Sequence, residues 1–72
     1  MKLSMCKPGD TVRIRSLSPY IVNYWRLTDM GVLPGCRVMV LHRAPLGDPM
    51  TIRIRDYFLS LRREDTDGIE VE

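Results

Sequence analysis

Two segments, Thr11-Val12-Arg13-Ile14-Arg15 and Thr51-Ile52-Arg53-Ile54-Arg55, carry the same alternation of a β-branched apolar side chain and an arginine. A period of two describes a strand with one face buried and the other in water. Wound into a helix, the same order would scatter its apolar groups around every side. Turns cut the runs short. Lys7-Pro8-Gly9-Asp10 launches the first, Pro34-Gly35 precedes Arg37, and Ala44-Pro45-Leu46-Gly47-Asp48-Pro49 precedes Met50.

Parity then assigns faces. Val12 and Ile14 point inward while Arg13 and Arg15 face water, and Met50, Ile52 and Ile54 point inward from the later run. After an interruption at Asp56, Tyr57, Leu59 and Leu61 alternate with Phe58, Ser60 and Arg62. A polar turn, Arg63-Glu64-Asp65, leads past Gly68 to a last strand, Ile69-Glu70-Val71. The run from Arg37 to Arg43 is apolar on both parities (Val38 and Val40; Met39 and Leu41), which predicts a strand covered on both sides.

Between the first two strands the alternation stops. Ser18 suits an N-cap, Pro19 the first helical position, and Gly31 the left-handed residue after the last turn. Residues 19–30 are therefore predicted as one short amphipathic helix. At about 100° per residue, Tyr20, Tyr24 and Leu27 share its buried face, with Met30 on the flank and Arg26 and Asp29 pointing away. The β-branched Ile21 and Val22 predict an irregular first turn. Trp25 falls at the border of the buried face, beside Ile21 and Val22.

The chain has 72 residues, 44% of them hydrophobic and 28% charged, which describes one folded domain rather than a disordered segment. A chain of this size buries only about 60% of its unfolded surface, which leaves no room for a second lobe or a two-domain cleft. Closing the sheet hides its edges. The predicted fold is mainly β: a small, partly closed antiparallel barrel of about five strands, with one short helix between the first two, over residues 1–72. Val38-Met39-Val40-Leu41 is the longest apolar run, too short to cross a bilayer, and the start from Met1 to Gly9 lacks the apolar stretch of a secretory signal. A cytoplasmic, free-standing domain is expected, with Cys6 and Cys36 as free thiols.

Catalytic chemistry is not written in the chain. An enzyme needs a nucleophile with a base, paired carboxylates or a metal cage, and there is one histidine, His42, and no Gly-rich phosphate loop. Cys36 and His42 lie about 20 Å apart along one strand, so they cannot share an ion within the chain. Cys6 with His42 makes two ligands at most. No metal site and no cofactor are expected, and any metal held by Cys6, Cys36 or His42 would lie between chains. Outward arginines (Arg13, Arg15, Arg53, Arg55, Arg62 and Arg63) form either a solvated face or a basic stripe for an acidic protein, an anionic leaflet or nucleic acid. The net charge is only +2. Phe58 is the one aromatic that alternates outward near them, few for a nucleic-acid platform.

Three segments together resemble the FeoA family of bacterial ferrous-iron uptake. They are Arg26-Leu27-Thr28-Asp29-Met30-Gly31-Val32-Leu33-Pro34-Gly35, similar to R-L-x-x-[LM]-G-[LV]-x-P-G; Ala44 to Pro49, similar to A-P-x-G-D-P; and Leu59-Ser60-Leu61-Arg62 followed by Ile69-Glu70-Val71-Glu72. The resemblance runs from about Leu3 to Glu72. It implies an SH3-like barrel, a family-level link to transition-metal binding, and association with FeoB, the membrane iron transporter with a cytosolic GTP-binding domain. Recruitment to the inner face of the membrane would then come through that partner. Related SH3-like domains end metal-dependent repressors. Within the motifs, Leu27 and Met30 read as core contacts, Gly31, Pro34 and Gly35 as chain reversals, and Gly47 and Pro49 as parts of a rigid loop. The chain departs from the family at Asp56, where Gly is frequent and where Asp can tolerate a left-handed backbone. It departs again at Thr66 (frequently Ala) and Cys6 (frequently Leu), both read as packing changes.

The expected function is a non-enzymatic accessory role in ferrous iron uptake through binding FeoB. The expected contact residues are Trp25 and Arg26 on the helix, with Pro45, Leu46 and Asp48 in the loop. The alternatives are a basic barrel that binds RNA or DNA, and the regulatory domain of a repressor.

Overall fold

The first strand, β1 (Thr11–Leu17), divides its hydrogen bonds between two neighbours. Its opening residues pair with β2 (Arg37–Arg43), and from Ile14 onward it pairs with β5 (Ile69–Val71), the register shifting between Ile14 and Ser16. That shift is a bulge, which bends the strand so that one sheet can curl toward closure. The other strands are β3 (Met50–Ile54) and β4 (Tyr57–Leu61), all pairs are antiparallel, and the order is β4-β3-β2-β1-β5. This computed structural model describes residues 1–72. The architecture is the mainly β, helix-inserted barrel expected from the alternation.

Parity holds where one face is charged. Ile14, Met50, Ile52, Ile54, Leu59 and Leu61 are buried, and Arg13, Arg15, Arg53 and Arg55 are exposed. These side chains join Leu3, Cys6, Ile21, Leu27, Val32, Val38, Val40, Ile69 and Val71 in one core cluster of 15 residues. Burying each such aliphatic side chain is worth about 1.5–3 kcal/mol. The strand β2 corrects the expectation of two-sided cover: Val38 and Val40 are buried, but Met39 and Leu41 are 40% and 36% exposed. No second layer packs on that side, and a bulge between Val40 and His42 interrupts the strand.

The helix is shorter than the pattern predicts. α1 spans Tyr24–Asp29, with Asn23 at its N-cap, while residues 18–23 form turns. Ser18 accepts the Tyr20 amide on its Oγ at 3.2 Å, so it caps a turn and not the helix. The cause is tertiary. Ile21 drops into the core against Gly68, where an added Cβ would lie 2.5 Å from Ile21 Cγ1, and the Ser18 amide donates to the Gly68 carbonyl at 2.8 Å. Tyr20, expected on the buried face, is 91% exposed.

Two further short helical pieces had no periodic signal. Leu3–Met5 forms a 3-10 turn that buries Leu3, and Arg63–Thr66, expected as a polar turn, forms α2 with Asp65 and Thr66 buried. Arg43 reaches from the end of β2 to the Ser4 carbonyl, fixing the N-terminal turn to the sheet. The turn between β3 and β4 also differs in detail: Arg55, at φ +54°, is its left-handed residue, not Asp56. Because Ile54 pairs with Tyr57, the loop has two residues, and its first central position takes the positive φ that matches strand twist.

Candidate functional site

The two edges of the sheet are treated differently. Outside β5 lies the N-terminus: Lys2 bridges to Glu70, the Val71 amide donates to the Met1 carbonyl at 2.7 Å, and the terminal amine meets Glu70 at 3.2 Å. The outer edge of β4 has no such cover. In an antiparallel pair, alternate residues turn their N–H and C=O away from the partner strand. With Ile54–Tyr57 closing the hairpin, Leu59 and Leu61 bond inward to β3, and Phe58 and Ser60 turn their backbone groups outward. Neither residue bonds to any turn, loop or helix.

Beside this edge runs a groove of about 250 Å³, lined by Arg26, Leu27 and Met30 from α1, Phe58 to Leu61 from β4, and Asp65 from α2. Leu27 and Leu61 floor it from the core, while Arg26 and Phe58 stand exposed at its rim. Asp65 is 3% exposed and takes a long hydrogen bond from Asn23 Nδ2, at 3.4 Å. The groove therefore offers unpaired backbone donors and acceptors, an apolar floor, a buried carboxyl and a rim guanidinium. Those are the elements that bind an extended peptide along a sheet edge.

Of the contact residues expected from sequence, Arg26 lines this groove. Trp25 does not. It is 76% exposed, more than the border position expected, and stands edge-on to Tyr24 with ring centroids 5.1 Å apart. Pro45 and Leu46 project from the loop between β2 and β3, Leu46 being 95% exposed, and neither lines the groove. Asp48 lies near its end, paired with Arg62 at 3.8 Å just beyond Leu61. In the same loop Gly47 takes φ +90° and the Asp48–Pro49 bond is cis. Phe58, Ser60, Leu61 and Asp65 are not among the contact residues expected from sequence, because the edge position of β4 and the burial of Asp65 depend on strand order and on α2.

The soft ligands are dispersed. Cys6 is buried, with its Sγ 4.0 Å from the Lys2 carbonyl, and Cys36 donates to the Gly31 carbonyl at 3.2 Å. His42 is exposed on the opposite side of the sheet from Cys6, in register with Thr51. No three His, Cys, Asp or Glu side chains are gathered where they could hold an ion. Burial, and then the Asp10 carboxylate, push the Cys6 thiol above its ordinary pKa.

The FeoA domain family model matches residues 1–72, the whole chain. The chain belongs to the FeoA family. It is 43% identical, over its full length, to the Fe(2+) transport protein A/Fe(2+) transporter FeoB fusion protein of Porphyromonas gingivalis, and spans 8% of that relative's length. The solution structure of FeoA from Chlorobium tepidum is 38% identical, with a TM-score of 0.90 over 99% of this chain and 68% of that one. Stenotrophomonas maltophilia FeoA, described as a prokaryotic SH3 domain protein complexed with zinc, shares the fold at a TM-score of 0.86 and 21% identity, over 100% of this chain and 89% of that one. The three family-like segments map onto the end of α1 with the turn after it, the β2–β3 loop, and β4 with β5. No helix is long and apolar enough to cross a membrane.

Proposed function

We propose that this chain is a non-enzymatic accessory protein of ferrous iron uptake that docks on a FeoB-type transporter, taking an extended segment of it as an added strand along β4. The observation that carries this reading is the unpaired outer edge of β4 beside the α1 groove. An exposed edge invites pairing and is normally blunted. Here it is left open next to apolar side chains that can hold alternate residues of an incoming strand. The Porphyromonas gingivalis relative supports the choice of partner, since its name joins transport protein A to FeoB in one chain.

In this arrangement the backbone of Phe58 and Ser60 supplies affinity. Leu27, Met30 and Leu61 accept apolar side chains, and Arg26 gives a charge-assisted bond to a carboxylate on the partner. Trp25, on the next position of α1, adds a large exposed ring of the kind that dominates interface energetics once covered. The test is calorimetric titration of detergent-solubilised FeoB with the parent and with the double variant Trp25→Ala/Arg26→Ala, with thermal melts on the same samples. A folded double variant that loses association supports the reading. Unchanged affinity removes α1 from the interface.

A further inference from the structure

Arg13 and Arg37 stand directly opposite each other on β1 and β2. Across the next pair Met39 faces Arg53, and Arg53 in turn faces Phe58 on β4. All of these side chains are on the solvent side of the sheet, because Val38, Val40, Ile52 and Ile54 take the alternate positions in the core. Arg37, Arg53 and Arg55, with Thr11 and Met39, surround a shallow hollow of about 250 Å³. The stripe expected from sequence is thus redrawn: Arg37 joins it, while Arg62 is engaged by Asp48 at the far end of β4.

Like charges directly opposite on a sheet are destabilising, and neither Arg13 nor Arg37 is in an ion pair. The two ion pairs present are the terminal amine with Glu70 and Arg62 with Asp48. Much of the acid is placed elsewhere, with Asp29 ending α1 and Glu64 and Asp65 on α2. The net charge of +2 therefore understates the density of arginine around this hollow. The same face also exposes apolar side chains, Phe58 at 66%, Met39 at 40% and, in the bulge, Leu41 at 36%.

We propose that this face binds the surface of an anionic phospholipid bilayer, with headgroup phosphates in the arginine hollow and Phe58, Met39 and Leu41 at the acyl boundary. An open, shallow sheet face fits a planar ligand. Flexible aliphatic side chains among arginines gain burial at a membrane interface, whereas a single-stranded nucleic acid needs successive aromatic rings to stack on and meets one here. Basic side chains near an anionic leaflet each add to affinity, and their effect is screened by salt. The proposal stands on this face alone and is tested without FeoB, so it and the docking on β4 can fail separately.

The experiment is co-sedimentation of the full chain with phosphatidylglycerol/phosphatidylcholine vesicles and with phosphatidylcholine vesicles alone. Binding is expected only to the anionic vesicles, and it should weaken as salt rises. Arg37→Gln/Arg53→Gln/Arg55→Gln should lower it roughly a hundredfold, at about fivefold per charge. The corresponding triple lysine variant should retain most of it, and Phe58→Ala should lower it without altering the salt dependence. All substituted positions are exposed, and thermal melts verify that each variant is folded. Equal binding to both vesicle types, or none to the anionic ones, overturns the proposal. So does displacement by inorganic phosphate at millimolar concentration, which would mark a site for a free anion, or tighter binding of a single-stranded oligonucleotide.

Discussion

The Val32 amide donates to the Leu27 carbonyl at 3.0 Å across the left-handed Gly31, while the Gly31 amide donates to Thr28 at 3.0 Å. These two bonds close α1 in a Schellman motif and bring Val32 and Leu27, both buried, into the same core. Most of the family-like segment from Arg26 to Gly35 is thus a stop signal for a helix and a route into β2. Its residues at Gly31 and Val32 belong to the fold, while Arg26, Leu27 and Met30 line the groove.

The first prediction follows from that geometry. Gly31 has φ +92°, and a Cβ there would meet Tyr57 Oη at 3.2 Å. Gly31→Ala should cost about 1–2 kcal/mol, the usual price of a left-handed backbone with a side chain. In a domain this small each kcal/mol lowers the melting temperature by about 4–8 °C. A melt within a degree of the parent would show that the turn can relax.

A second prediction separates the two faces of the sheet. Ile52 is wholly buried, and its substitution by Ala should cost about 2–5 kcal/mol. Met39, 40% exposed on the arginine face, should tolerate Ala within about 0.5 kcal/mol. Urea unfolding of both variants measures this. Equal losses would mean that Met39 is covered after all.

The third concerns pH. Burial and the Asp10 carboxylate raise the Cys6 thiol above its ordinary value, so the folded chain holds this proton more tightly than the unfolded one. That contribution is complete below the ordinary thiol pKa of about 8.5 and is lost as pH rises through the folded value. Parent and Cys6→Ala should therefore differ by a constant amount near neutrality, and the gap should narrow as the pH climbs into the alkaline range. A gap that is constant up to pH values where free thiols are fully ionised would contradict the shift.

What the sequence made legible was whatever a single element encodes by itself. Arg13, Arg15, Arg53 and Arg55 mark the wet face of their strands, and Gly31 marks the end of α1. What depended on a distant neighbour was not legible. The burial of Ile21 rests on Gly68, so α1 starts later than its local pattern predicts. Met39 and Leu41 look like core until it is known that no second layer covers β2. The open edge of β4 and the joining of Arg37 to Arg53 and Arg55 both follow from the order β4-β3-β2-β1-β5, which no local pattern states. The left-handed position fell at Arg55 because the pairing of Ile54 with Tyr57 sets the turn.

The most direct test of strand addition along β4 is calorimetric titration of FeoB with Ser60→Pro, beside Leu46→Ala as a control in the exposed loop. Proline is tolerated on an edge strand where the N–H faces solvent, but it removes the donor that an incoming strand needs. Ser60→Pro should melt cooperatively and lose at least tenfold in affinity, about 1.4 kcal/mol, while Leu46→Ala should bind as the parent does. A folded Ser60→Pro variant with parental affinity would contradict strand addition, and loss confined to Leu46→Ala would contradict it and place the contact on the β2–β3 loop.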